Sequence, residues 1–133
     1  MSNQSFTDLD VWKTGHQMVL KVYELTASFP RDELFGLINQ MKRSSASVTA
    51  NITEGFGRMG SREKEQFYRI AAGSLFELKD KLLIAHDVGY ISRKNLDIIA
   101  ELVNKCHAQL NALLAAHINI RTSKFQLRNS RST

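Results

Sequence analysis

A chain of 133 residues fits one domain, and a globule of this size hides about two-thirds of its unfolded surface, so its core requires no disulfide or metal staple. Hydrophobic residues at 43% and charged residues at 23% exclude a disordered, collagenous or disulfide-framework protein. The net charge of +5 is unevenly placed: Arg121, Lys124, Arg128 and Arg131 fall in an acid-free stretch from Asn119 to Thr133, and the other 14 bases face 13 acids. A nearly neutral body with a basic tail admits either a polyanionic partner or a solubilising terminus.

The longest apolar runs are far short of the roughly 20 residues that span a membrane, and the opening MSNQSFTDLD has no basic region followed by an apolar one. Cys106 is the only cysteine, so neither an internal disulfide nor a cysteine-built zinc site can form. These features lead to the expectation of a soluble, unexported, cytoplasmic protein.

One proline and a period near 100° per residue predict helices along most of the chain. The first begins near Thr7 or Asp8, either of which can cap it. Its apolar side holds Leu9, Trp12, His16, Val19, Val22 and Tyr23, flanked by Val11, Met18, Leu25 and Phe29, and Pro30 stops it. The second runs from about Asp32 to Phe56, with Leu34, Leu37, Ile38, Met41, Ser45, Val48, Ile52 and Phe56 in one stripe. Ala46, Thr49, Ala50 and Thr53 form a flank of small side chains that permits close helix approach. The third is capped by Ser61, turns Phe67, Ile70, Ala71, Ser74, Leu75, Leu78, Leu82 and Ala85 inward, and ends at Gly89. Ser92 caps the fourth. Its Leu96, Ile99, Val103, Cys106, Leu110, Leu113 and His117 alternate in steps of three and four, the seam of bundle packing. Short connections then predict an all-α, antiparallel up-down-up-down four-helix bundle over residues 1–120, followed by a flexible basic tail over 121–133.

Most chemistry-bearing patterns have structural explanations. Gly55-Phe56-Gly57-Arg58-Met59-Gly60 spells a dinucleotide fingerprint, but a helix precedes it where that fingerprint requires a strand, so these glycines read as cap and turn residues. The sequon Asn51-Ile52-Thr53 lies within a helix of an unexported chain. His16, His86, His107 and His117 form no metal-ligand spacing with one another. Cys106 in the seam reads as a small buried hydrophobe. No catalytic triad order is supported, and the expectation is a non-enzyme without cofactor or metal.

Two features are left over. Gln40, Arg43, Ser47, Asn51, Glu54 and Arg58 recur at steps of three or four beside the apolar stripe of the second helix. This line reads as a solvated face, as a ligand contact, or as a structural polar network of Arg43, Asn51, Glu54 and Glu77, because an antiparallel third helix brings Glu77 near the level of Met41. On the third helix, Ala72, Phe76 and Leu83, with Tyr68 and Lys79 alongside, fall outside the core stripe, which points to a covering partner or self-association through Phe76 and Leu83.

The runs Phe6-Thr7-Asp8-Leu9-Asp10-Val11-Trp12, Phe35-Gly36-Leu37 with Gln40 and Arg43, Asn51-Ile52-Thr53-Glu54-Gly55-Phe56-Gly57-Arg58, Gly73-Ser74-Leu75-Phe76-Glu77-Leu78 and Asp87-Val88-Gly89-Tyr90-Ile91 resemble the four-helix-bundle proteins encoded by intervening sequences of bacterial 23S ribosomal RNA genes. The likeness covers about residues 6–118. It implies a ring-like homo-oligomer, a pentamer, in bacterial cytoplasm, with a ribosomal or RNA-binding role proposed for the family. A related branch, the accessory proteins of diversity-generating retroelements, binds nucleic acid and a reverse transcriptase through a basic pentameric barrel. The chain departs from the pattern at Thr49, where many relatives have proline, and in its tail.

Two functional readings follow. In one, a ring gathers Lys42, Arg43, Arg58, Arg62, Arg69, Arg121, Lys124, Arg128 and Arg131 into a multivalent surface for structured or ribosomal RNA, gripped through phosphates. In the other, the ring is a protein-interaction scaffold, such as an accessory subunit of a nucleic-acid enzyme, and the tail only solubilises. The tail favours the first; the neutral body and the lack of an aromatic stacking platform favour the second.

Overall fold

The computed structural model describes residues 5–132, with side chains through 120 and those of 122 and 123. Among the described residues there are four α-helices, two short 3-10 turns and no strand. The helices are α1 (Asp10–Thr26), α2 (Leu37–Phe56), α3 (Ser61–Asp87) and α4 (Arg93–Ser132). The segment expected to be a tail thus continues α4 in its backbone, and Arg121, Lys124, Arg128 and Arg131 lie outside the described side chains.

The helix boundaries follow from local bonding. Thr7 and Asp8 belong to a separate 3-10 turn, Phe6–Asp8, rather than capping α1. Ser5 N–H donates to Asp8 Oδ2 at 3.0 Å and Thr7 N–H donates to Ser5 Oγ at 3.2 Å, which uses up the capping groups one turn early. Phe6 then packs edge-on to Trp12 at 5.5 Å and ties this turn to α1. The second helix begins at Leu37 rather than near Asp32, because Arg31–Glu33 forms its own 3-10 turn and Gly36 departs from helical angles (φ −108°, ψ −111°). Leu34 and Phe35 are exposed as a result, Phe35 to 89%. Ser61 is the first residue of α3, and Gly60 caps it without a side-chain bond. Lys64 Nζ donates to the Gly55 and Phe56 carbonyls at 3.1 and 2.7 Å, satisfying orphan acceptors at the end of α2.

The α3 terminus matches its sequence reading. Gly89 adopts φ +91°, and Tyr90 N–H donates to Ala85 O at 2.8 Å while Gly89 N–H donates to His86 O at 3.0 Å, a Schellman closure that favours glycine. Ser92 Oγ accepts from Asn95 N–H at 3.1 Å and opens α4.

One core runs through the molecule, with Met18 and Val22 from α1, Met41, Val48 and Ile52 from α2, Ala71, Leu75 and Leu78 from α3, and Ile99, Val103, Cys106 and Leu110 from α4 all buried. The helices pack in the cyclic order α1, α2, α3, α4. Along α2, moving from Ser47 to Gly55 takes the facing residue on α3 back from Ser74 to Tyr68. Along α3, moving from Tyr68 to Lys79 takes the facing residue on α4 back from His117 to His107.

Two helices present a different face from the one their apolar pattern suggested. In α1, His16 and Tyr23 are exposed, and Val11, Thr14, Gly15, Met18, Val22 and Leu25 point inward. Gly15 sets this rotation: a Cβ there would lie 3.0 Å from Thr49 Cγ2 and 3.6 Å from Cys106 Sγ, so the helices meet at a residue that hydropathy does not count. In α3, Ile70 is exposed and Tyr68 is buried. The Tyr68 ring fills the space beside Gly55, where a Cβ would approach Cε1 to 2.5 Å.

Candidate functional site

The polar line along α2 divides into a bonded half and an open half. Asn51 Nδ2 donates to Ser47 O at 2.8 Å and Ser47 Oγ at 3.1 Å, and Ser47 Oγ shares a hydrogen bond with Ser74 Oγ of α3 at 2.8 Å. This chain ties the two helices together. Glu54 and Arg58 pair at 3.0 Å on the surface, where such a pair contributes little, and the Arg58 guanidinium lies over the Phe67 ring at 4.8 Å.

Beyond Ser47 the helices enclose a cleft of about 430 Å³. From α2, Asn39, Gln40, Arg43 and Ser44 line it beside Ser47; from α3 come Glu77 and Lys81. Arg43 and Glu77 therefore border one space, yet no ion pair within 4 Å joins them. The side chains of Asn39, Gln40, Arg43 and Glu77 make no hydrogen bond to the protein among the described residues, whereas Lys81 Nζ lies 2.9 Å from Asp80 Oδ2. Ser44 and Ser47 contribute small side chains to the cleft. Ser74 and Lys81 were not singled out as site residues in the sequence, but their spacing with Glu77 on α3 mirrors that of Gln40, Arg43 and Ser47 on α2 and could have revealed them.

A second feature lies where α3 meets α4. Phe76 and Leu83 are 59% and 56% exposed. Leu83 borders a groove of about 330 Å³ whose apolar lining includes Leu82, Leu96, Ala100 and Val103, with Arg93 and Asp97 at its edge. Phe76 meets His107 edge-on at 5.0 Å, Lys79 Nζ lies over the Phe76 ring at 5.1 Å, and the same Nζ is 2.8 Å from His107 Nδ1. Burial, and then the Lys79 charge, lower the His107 pKa. Tyr68, expected beside this strip, is in the core instead.

The remaining cations are dispersed over α2 and α3. Lys42 Nζ sits over Tyr23 at 4.5 Å, Arg62 is exposed, and Arg69 lies 3.8 Å from the buried Glu65. Among the described residues no group of three His, Cys, Asp or Glu side chains is placed to hold a metal ion, and no helix is long and apolar enough to cross a membrane. Cys106 is enclosed, and burial pushes its thiol up to about 11. His117 is half-buried, and its Nδ1 has no hydrogen-bond partner among the described residues; burial and the Lys64 charge lower its pKa against an opposing contribution from Glu65.

A solved protein of unknown function from the S23 ribosomal protein family of Bacteroides thetaiotaomicron shares this fold with a TM-score of 0.73 and 19% identity, over 79% of this chain and 95% of that one. At that identity the likeness speaks for the fold alone. No curated protein matches the chain. Residues 7–112 match the family model described as 23S rRNA-intervening sequence protein. That match takes in all of α1, α2 and α3 and half of α4, and by it the chain belongs to the 23S rRNA-intervening sequence protein family.

Proposed function

We propose that this protein is a non-enzymatic, antiparallel four-helix bundle that assembles into a ring-like homo-oligomer, a pentamer, in the cytoplasm and binds structured or ribosomal RNA through a multivalent basic surface. The reversed register of α2 on α3 and of α3 on α4 supports the up-down-up-down arrangement. The observation that carries the assembly is the exposed pair Phe76 and Leu83 beside an apolar groove, a face that a lone bundle leaves in water. Assembly multiplies Lys42, Arg43, Arg58, Arg62, Arg69 and the cations beyond residue 120, and avidity turns weak phosphate contacts into measurable affinity.

The test is binding of a structured RNA across a salt series, beside light scattering. Each neutralised phosphate contributes about 0.7 to 0.9 to the slope of log affinity against log salt. Removing residues 121–133 should leave the oligomer's mass intact and flatten that slope. An unchanged slope would assign the contacts to α2 and α3. Absence of binding at low salt would favour a protein scaffold, the reading that the apolar lining of the α3–α4 groove supports.

A further inference from the structure

The geometry points to the α2–α3 cleft as a binding site for a ribose phosphate unit, with the phosphoryl group on Arg43 and Lys81 and the sugar hydroxyls on Glu77. The choice of ribose rests on the RNA reading above, whereas the cleft itself stands on its own geometry. Its volume of about 430 Å³ suits a small polar ligand. Arg43 and Lys81 line the cleft with Glu77, and Asp80 Oδ2 lies 2.9 Å from Lys81 Nζ, so Arg43 is the cation without a carboxylate partner and a phosphoryl group would draw Lys81 from a surface pair that contributes little. Arg43 offers a planar fork to phosphoryl oxygens, and Lys81 adds a point charge. Glu77 accepts hydrogen bonds but donates none when ionised, which suits a hydroxyl pair.

Asn39, Gln40, Arg43 and Glu77 are exposed, so water meets their polar groups in the free protein and a ligand can displace it without breaking a protein bond. Arg43 and Glu77 face one space from two helices without pairing, and the Asn39 and Gln40 amides are also free of protein partners. The Ser47–Ser74 bond joins the two helices at one end of the cleft. Among the described residues no aromatic ring lines the cleft, so a nucleobase finds no stacking surface from them and the sugar-phosphate edge is the part recognised. A carboxylate reading the 2′-hydroxyl would distinguish RNA from DNA without reading sequence.

The ligand's source is either an RNA chain or a free sugar phosphate, and the probes separate them. Calorimetry on the full chain would compare ribose 5-phosphate with 2-deoxyribose 5-phosphate, and anisotropy would compare a short oligouridylate with its deoxy counterpart. The expected result is a preference of about tenfold for the ribo form of at least one pair, the size of one charge-assisted hydrogen bond. Glu77→Ala should abolish the preference and keep phosphate binding, while Arg43→Gln should weaken ribo and deoxy ligands alike, with both variants keeping the parent's helical content. A preference confined to the oligonucleotide assigns the site to RNA; one confined to ribose 5-phosphate keeps the site and overturns the RNA reading. Equal binding of ribo and deoxy probes, unaltered in both variants, overturns the cleft proposal and leaves the RNA reading standing. No binding of any probe at low salt overturns both.

Discussion

Lys79 Nζ lies 2.8 Å from His107 Nδ1 across the contact between α3 and α4. An ammonium has only donors, so the imidazole nitrogen facing it accepts, and the proton of the neutral ring sits on Nε2. Protonating His107 would replace this bond with two facing cations beside Phe76.

Acid should therefore weaken the fold. Burial and Lys79 hold the His107 pKa below 6.5, and His117 is lowered by burial and Lys64. The unfolded chain then binds more protons below 6.5, so stability is present above that value and declines as pH falls through the folded pKa values. Thermal melts at pH 7.5 and pH 5 should show a lower midpoint in acid. His107→Gln, which keeps an acceptor for Lys79, should reduce that difference, and an unchanged difference would mean the contact plays no part in it.

Two glycine substitutions should act with opposite sign. Gly55→Ala places a Cβ 2.5 Å from Tyr68 Cε1, against an enclosed ring, and should destabilise by about 1 to 3 kcal/mol. Gly73→Ala sits inside α3 with nothing within 4 Å of the new Cβ and should stabilise by about 0.5 to 1 kcal/mol. Urea denaturation of the two variants checks both signs.

Leu83→Lys should lower the mass seen by light scattering with little loss of helix. The leucine is already exposed in the single chain, so its replacement costs the bundle little, while an interface would lose apolar contact and gain an unpaired charge. A monomer mass for the parent would remove the basis for a ring.

The bonded and open halves of the polar line should separate by stability. Ser74→Ala removes the partner of Ser47 across the helix contact and should cost about 1 kcal/mol. Arg43→Gln and Glu77→Gln remove no protein bond and should change stability by less than about 0.5 kcal/mol. A large loss in either would identify a structural role that outweighs ligand contact.

Cys106 should resist an aromatic disulfide reagent at pH 8 in the native protein and react once denaturant is added. Its thiol is enclosed, and the folded chain holds the proton to about 11 against an ordinary 9.0. The same comparison has a stability consequence: the native state binds more protons between those values, so stability declines as pH rises from 9.0 towards 11. Base titration of the melting midpoint checks the direction.

The helices and much of the core were determined by sequence. The α4 seam of Ile99, Val103, Cys106 and Leu110 is buried as its spacing required, and Ser92 and Gly89 bound their helices through bonds that depend on a few neighbouring residues. The polar line of α2 was legible for the same reason, since residues three and four apart share a helix face whatever packs against it. Tertiary structure decided the rotation of α1 and the inward turn of Tyr68, because each depends on a glycine whose missing side chain admits a neighbour distant in sequence. It also decided that Arg43 and Glu77 share a cleft without pairing. Which residues of α3 face which residues of α2 is set by packing between the helices, the Ser47–Ser74 bond included, and no periodicity within a single helix records it.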